Sequence, residues 1–135
     1  GLRHSEINAN RDAEVRFLQI WILPAVSGLE PSYEQKHFDD ASRRGQLRLV
    51  ASPDGRSQSL TVHQDVDLYV SLLERGESVE HAAAAGRRLY LHLARGAVTL
   101  NGHALHGGDG VAISDERTLR IEATESSELL LFDLA

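Results

Sequence analysis

Two side chains near the start of this sequence offer its most direct chemistry: His4 and Glu6, separated only by Ser5. In an extended chain, residues i and i+2 project to one side, so this imidazole and this carboxylate can meet a single ion. Such a donor pair suits a non-haem divalent centre that keeps open positions for substrate and oxygen. Spacing alone leaves a second reading open, because solvent-facing strands often carry both residue types. The histidines at 37, 63, 92, 103 and 106 form no pattern that extends the pair. His63 and His92 fall in strand-like stretches, where a satisfied or exposed histidine is the commoner case and a cavity-lining one the rarer. His103 and His106 flank a turn and read as solvated.

The elements that must position these groups are β-type throughout. Leu89 to Ile113, LYLHLARGAVTLNGHALHGGDGVAI, is the best-patterned stretch. Leu89, Leu91 and Leu93 alternate with Tyr90, His92 and Ala94, which is the period of a strand with one buried face. Arg95-Gly96 marks a turn, Ala97 to Leu100 alternates again, and Asn101-Gly102 supplies the two positive-φ positions of a type I′ hairpin. Gly107 to Gly110 then turns the chain into Val111-Ala112-Ile113. Further strands are expected at 46–51, 60–64, 66–73, 78–81, 118–123 and 128–134, with Pro53-Asp54-Gly55 as a turn. Val66, Leu68, Val70 and Leu72 alternate cleanly. Val15 to Leu23, VRFLQIWIL, is apolar on both faces, Val15/Phe17/Trp21/Leu23 and Leu18/Ile20/Ile22. A strand of that kind is suited to burial and to pairing. Residues 25–44 mix glycine, proline and charge and read as a connection, with one helical turn around Asp39 to Arg44. Short strands spaced by glycine turns, without a long helix, indicate an all-β sandwich or barrel.

Composition sets the outer limits. The chain has 135 residues, 41% hydrophobic and 25% charged, which fits one domain or one domain with an appendage. A net charge of −6, with Arg43-Arg44 and Arg87-Arg88 as the adjacent basic pairs, argues against nucleic acid as a partner. No apolar run approaches the roughly 20 residues of a membrane span, and no signal-peptide pattern opens the chain, so a cytoplasmic protein is expected. There is no cysteine, which excludes disulfides and thiolate metal sites. There is no methionine either, so Gly1 is read as following a removed segment or as the start of a fragment.

The glycine-turned unit is similar to the second conserved motif of the cupin superfamily, a small jelly-roll barrel. Gly102 is followed after five residues by Gly108-Asp109-Gly110, where the family has a Pro-Asp-Gly turn, and Ile113 stands where a ligand histidine is expected. The first cupin motif, His-x-His followed by Glu, corresponds to Ser78-Val79-Glu80-His81 and the following AAAAGRR. Only His81 is retained, with Val79 in place of the first histidine and Ala85 or Gly86 in place of the glutamate. One ligand of four does not hold a divalent ion. The N-terminal stretch GLRHSEIN followed by VRFLQIWILP, together with SPDG and HQDVDLY further on, resembles the pirin and quercetinase-type bicupins.

That resemblance implies a cupin-type jelly-roll barrel (double-stranded β-helix) at 46–135 that lacks metal ligands. It implies a linker at 29–45 and, at 1–28, the terminal strand or strands of a preceding metal-binding cupin. It further implies that His4 and Glu6 are two of the metal ligands, completed by a His-x-His pair absent from this chain. The cofactor is a divalent metal, iron foremost, with manganese, nickel, copper or zinc as alternatives. The implied activity is metal-dependent dioxygenation of flavonols such as quercetin, with Glu6 also the base for the flavonol hydroxyl. With half of the ligands, this chain alone is expected to be inactive and to hold no metal stably. The alternative is a non-catalytic module for small-molecule binding, dimerisation or support of a catalytic half. A role in transcription-factor binding ranks below both. Val15–Leu23 is expected to pack on the barrel as an added strand or to form a homodimer with another copy.

Overall fold

The computed structural model describes residues 3–135; Gly1 and Leu2, which open the stretch compared with the bicupins, lie outside them. Ten strands follow one another in the C-terminal two-thirds: β1 Arg48–Ser52, β2 Leu60–Thr61, β3 Val66–Leu73, β4 Ser78–Ala82 and β5 Arg88–Arg95. The second five are β6 Ala97–Leu100, β7 His103–His106, β8 Gly110–Ile113, β9 Thr118–Ala123 and β10 Ser127–Leu134. They form a six-stranded sheet in the order β2-β1-β3-β10-β5-β8 and a four-stranded sheet in the order β4-β9-β6-β7. The two sheets face each other as a cupin-type jelly roll. All pairings are antiparallel except β1 with β2. Among the described residues no helix is long and apolar enough to cross a membrane.

The interior is built by the period-two patterns. Leu89, Leu91 and Leu93 of β5, Leu119 and Ile121 of β9, and Leu129 and Leu131 of β10 are all almost fully buried between the sheets. Each such side chain contributes roughly 1.5–3 kcal/mol by leaving water. Several crossings from one sheet to the other fall at glycines, though those from β8 to β9 and from β9 to β10 do not. Gly96 joins β5 to β6 at φ +87°, and an added Cβ there would lie 2.3 Å from the Ser126 carbonyl oxygen. The Asn101-Gly102 turn has φ of +47° and +85°, as a type I′ hairpin requires.

Two elements differ from their expected form. His103–His106 is a strand, paired with β6 from Ala97↔His106 to Leu100↔His103, rather than the flank of a turn. The strand expected at 60–64 is only Leu60–Thr61; His63 lies beyond it, and its carbonyl instead accepts a hydrogen bond from Ala25 N at 2.8 Å. In β3, Leu68 and Val70 of the alternating row face outward, while Tyr69 and Leu73 face the interior. Both faces are apolar because the outer surface of the six-stranded sheet is itself covered. Val50, Leu68 and Leu130 form a second cluster there with Phe38, Leu60, Val62, Val70, Ala94 and Phe132.

Phe38, Leu60 and Val62 supply that cover, while the N-terminal segment borders the face with its side chains still exposed. Val15–Leu23 takes no part in a strand ladder. It lies over the sheet's face rather than at its edge, with Phe17, Leu18 and Ile20 bordering a groove floored by Val50, Leu68, Val70, Ala94 and Leu130. Those residues belong to four neighbouring strands whose backbone groups are already paired, so only side chains are left to meet it. Gln64 Nε2 anchors the end of the segment on the Leu23 carbonyl at 2.8 Å. The helical turn expected around Asp39 to Arg44 is present, closed by Arg44 N on Asp40 O at 2.9 Å and capped by Asp39 Oδ1 on Ser42 N at 2.9 Å.

Candidate functional site

His4 and Glu6 are both exposed, on an extended segment without strand hydrogen bonds. The structure brings them together: Arg3 to Glu6 line one shallow concavity with Phe17, Gln19 and Trp21. In that second segment the side chains divide by alternation. Leu18 and Ile20 turn toward the barrel groove, whereas Gln19 and Trp21 turn toward His4 and Glu6, and Phe17 borders both. As donors, an imidazole nitrogen and a carboxylate fit a divalent ion. As a set they are incomplete, since among the described residues no three His, Cys, Asp or Glu side chains are grouped to hold a metal.

The barrel interior is different in kind. Val79 and His81 lie on β4, are buried, and face inward, and Ile113 of β8 packs against the same core opposite Leu89. Ala85 and Gly86 are exposed on the loop after β4, outside the barrel. The positions that correspond to cupin ligands therefore present one imidazole among aliphatic side chains, which does not fit a metal. His81 has another partner. Its Nε2 lies 2.8 Å from Asp133 Oδ2, with both side chains about nine-tenths buried. The Tyr69 ring sits against the imidazole, centroids 5.1 Å apart. Arg87 closes the other side of the carboxylate, donating Nε to Asp133 Oδ1 at 2.6 Å and Nη2 to the Asp133 carbonyl at 2.8 Å. Its Nη1 reaches Asp65 Oδ1 at 2.7 Å.

Burial works against the Arg87 charge, but Asp133 and Asp65 outweigh it and raise its pKa. Burial raises the Tyr69 phenol above its ordinary value, and the negative charge of Asp67 raises it further, so it stays neutral. Arg56 is paired with Asp67 and Asp54, which raise its pKa in that order. The arrangement is a satisfied polar plug at one end of a leucine-filled barrel. It ties β3, β4, β10 and the loop before β5 together.

The profile of the quercetinase C-terminal cupin domain matches residues 49–134, the whole of the two-sheet barrel. The chain belongs to the pirin-like quercetinase family of cupins. Among curated proteins, this pirin-like cupin is 44% identical to the quercetin 2,3-dioxygenase of Escherichia coli K12 over 99% of its own length and 57% of the relative's. It is 38% identical to a putative quercetin 2,3-dioxygenase of Pseudomonas aeruginosa, covering 100% of itself and 58% of that protein. A pirin-like protein of Caulobacter vibrioides is 35% identical with the same coverage. The chain thus spans somewhat over half the length of the curated relatives it matches. Among solved structures, YhhW from Escherichia coli superposes with a TM-score of 0.80 at 44% identity, over 85% of this chain and 48% of that one. The nickel(II) complex of the same bacterial pirin gives a TM-score of 0.78 at 45% identity, over 84% and 48% of the two chains.

For this pirin-like cupin the remaining histidines stay apart from both places. His37, His63, His103 and His106 are exposed and His92 is half-buried on β5. His103 and His106 bracket β7, and His106 N is held by Asp109 Oδ2 at 2.8 Å. Two sets of residues carry more than the sequence reading assigned them. Asp133 was legible as an inward position from the Leu129/Leu131/Asp133 alternation, but its partners lie 52 and 46 residues away in His81 and Arg87. Gln19 stands as the single amide in an otherwise apolar face, between Phe17 and Trp21.

Proposed function

We propose that this chain forms the C-terminal portion of a pirin-like bicupin that acts as a metal-dependent quercetin 2,3-dioxygenase in the cytoplasm. In this reading residues 1–28 close a metal-binding cupin, 29–45 link, and 46–135 form a supporting barrel without metal ligands. What supports it most is likeness to a quercetin 2,3-dioxygenase along 99% of the chain, together with the shared concavity of His4 and Glu6. His4 and Glu6 would supply two donors to a divalent ion, iron foremost, with a His-x-His pair completing the set. When bound, that ion supplies positions that polarise and orient substrate and oxygen. The Glu6 carboxylate would take the proton of the flavonol hydroxyl.

Two outcomes follow. This polypeptide alone, supplied with Fe(II) and air, is expected to show no sustained loss of quercetin above the metal-only background. Sustained turnover would mean that a complete donor set exists within it. In a polypeptide that includes this chain and spans the relatives' full length, Glu6→Ala is expected to lower quercetin turnover by at least about a hundredfold. Unchanged turnover in that variant would remove Glu6 from the chemistry.

The second reading, a non-catalytic module, draws on a specific observation: the barrel interior is filled by leucines and by a satisfied ion-pair cluster. An interior so filled favours structural support over small-molecule binding within the barrel. Exposure of Phe17, Trp21 and Leu23, at 62%, 82% and 78%, is the basis for proposing that Val15–Leu23 also pairs with another copy. Sedimentation velocity that shows a monomer at all concentrations would end the dimer proposal.

A further inference from the structure

Arg48, at the start of β1, is a half-buried cation without an acid. Among the described residues it makes no ion pair and no hydrogen bond, and its Nε is buried with no acceptor. Arg43 also has a buried Nε without a partner, but its terminal nitrogens meet Asp40 and Glu128. The Arg48 guanidinium lies over the Phe38 ring, 5.4 Å from its centroid, which holds the planar group in place and leaves both terminal nitrogens free to donate. Arg48 and Phe38 line a concavity of about 400 Å³ with Lys36, His37 and Gln58. None of these five side chains is acidic, in a chain whose net charge is −6. Two acids act on the wall from outside it. Glu34 Oε1 lies 2.7 Å from Lys36 Nζ, and Asp39 is within electrostatic reach of His37. Lys36 Nζ also donates to the Ser59 carbonyl at 2.7 Å, so two of its three donors are used and one is left. The backbone beside it is unusual as well. Ser57 and Gln58 stand at φ +53° and +61°, two successive non-glycine residues in the left-handed region. Residues with a Cβ seldom adopt that conformation, and where they do it gathers at functional sites.

We propose that Lys36, His37, Arg48 and Gln58 form a binding site for a phosphoryl group, separate from His4 and Glu6. The set offers a guanidinium fork, one remaining ammonium hydrogen, an imidazole and an amide around one space. A tetrahedral oxyanion presents acceptor oxygens in several directions to such donors, whereas a carboxylate presents its pair in one plane. Because Phe38 already holds the guanidinium, and Ser59 with Glu34 the ammonium, little side-chain freedom is lost when the anion arrives. The concavity is larger than the bare ion, so the phosphoryl group can come from inorganic phosphate or from the phosphate monoester of a small molecule.

The test is a nuclear magnetic resonance titration of this isotope-labelled polypeptide at constant ionic strength, with sodium chloride as the balance. The probes are inorganic phosphate, glycerol 3-phosphate and acetate. Both phosphates are expected to shift Lys36 to Phe38, Arg48 Nε–H and the Gln58 side-chain amide along saturating curves, with dissociation constants at or below about 1 mM. Acetate is expected to bind at least about fivefold more weakly. Arg48→Gln is expected to weaken inorganic phosphate about tenfold, and Arg48→Lys, which keeps the charge and loses the fork, about fivefold. Arg75→Gln, which removes the same charge from the exposed turn after β3, is expected to leave the affinity within about twofold. Should Arg48→Gln not fold, Arg48→Lys and the residues shifted in the unaltered chain carry the test. A tighter ester assigns the site to phosphate monoesters and a tighter free ion to inorganic phosphate; either upholds it. Shifts that stay linear in phosphate overturn the site, as does saturation centred on other residues. Acetate binding as tightly as phosphate, or an affinity unchanged in both Arg48 variants, overturns it also.

Discussion

Asp133→Ala is expected to lower the folding stability of this chain by about 3–5 kcal/mol, the cost of leaving buried charge without its partner. Asp133 accepts from Arg87 at 2.6 Å and meets His81 at 2.8 Å, and its own side chain is 10% exposed. Removing the carboxylate leaves the Arg87 guanidinium with the Asp133 backbone carbonyl and, as its one remaining charged partner, Asp65, whose side chain is 61% exposed and screened. It also leaves the His81 nitrogen buried against Tyr69 with nothing to bond. Thermal unfolding would show the loss as a fall of roughly 10 °C or more for a domain of this size. Asp133→Asn keeps an oxygen and a shape and is expected to cost less. The double variant Asp133→Ala with Arg87→Ala is expected to cost less than the sum of the single changes, because they share a network. A loss below about 1 kcal/mol for Asp133→Ala would contradict the account of the cluster as a structural plug.

Gly96→Ala is the second large effect, expected at about 3–5 kcal/mol. Two independent penalties act at one atom. The backbone sits at φ +87°, where a Cβ costs roughly 1–2 kcal/mol. That Cβ would also lie 2.3 Å from the Ser126 carbonyl oxygen and 2.3 Å from Ser127 Oγ, both too close to be relieved by a side-chain rotation alone. Ser127 Oγ is itself engaged, receiving Ala97 N at 3.1 Å and bonding the Glu125 carbonyl at 2.8 Å, so moving it breaks the corner where β5 crosses to β6. Overpacking of that sort adds about 1–3 kcal/mol. Gly102→Ala is the matched control. Its φ is +85°, but nothing lies within 4 Å of the added atom, so only the conformational part is expected, about 1–2 kcal/mol. Chemical denaturation of both variants checks the difference. Equal losses would mean that the Gly96 contact relaxes freely.

Much of the fold was legible because strand alternation and turn chemistry are local. Leu89, Leu91 and Leu93 declared a buried face, and Asn101-Gly102 declared a hairpin. The Asp39 to Arg44 turn was marked by its own capping residues. Legibility stopped where the answer depended on what lies opposite. The alternating valines and leucines of β3 look like an interior face, yet Leu68 and Val70 face outward. The interior side holds Tyr69 and Leu73, while Phe38, Leu60 and Val62 add a second apolar layer on the outside. The short β7 was hidden because it holds one buried residue, Leu105, between two exposed histidines. The Val15–Leu23 segment has the composition of a strand but meets a face instead of an edge, so its pairing could not be read from its pattern.

The same distinction governs the candidate site. That Ile113 and Val79 leave the barrel without a donor set was visible from residue types. That His81 is held by Asp133 was not, since the pair is joined only by the register of β4 and β10 within the folded barrel. His4 and Glu6 were singled out by type and spacing but assigned as ligands only through the family resemblance, whereas Gln19 was placed beside them only by the fold.

We propose that the metal chemistry of this chain belongs to His4 and Glu6 and not to the barrel. Nickel(II) titrated into isotope-labelled protein broadens nearby nuclear magnetic resonance lines, which locates the ion without requiring turnover. The account predicts that His4, Glu6 and the Phe17 to Trp21 segment broaden first, that His4→Ala abolishes this, and that Tyr69, His81 and Asp133 stay sharp. Broadening centred on β4 and β10, or on His103 and His106 with His4 and Glu6 untouched, would contradict it.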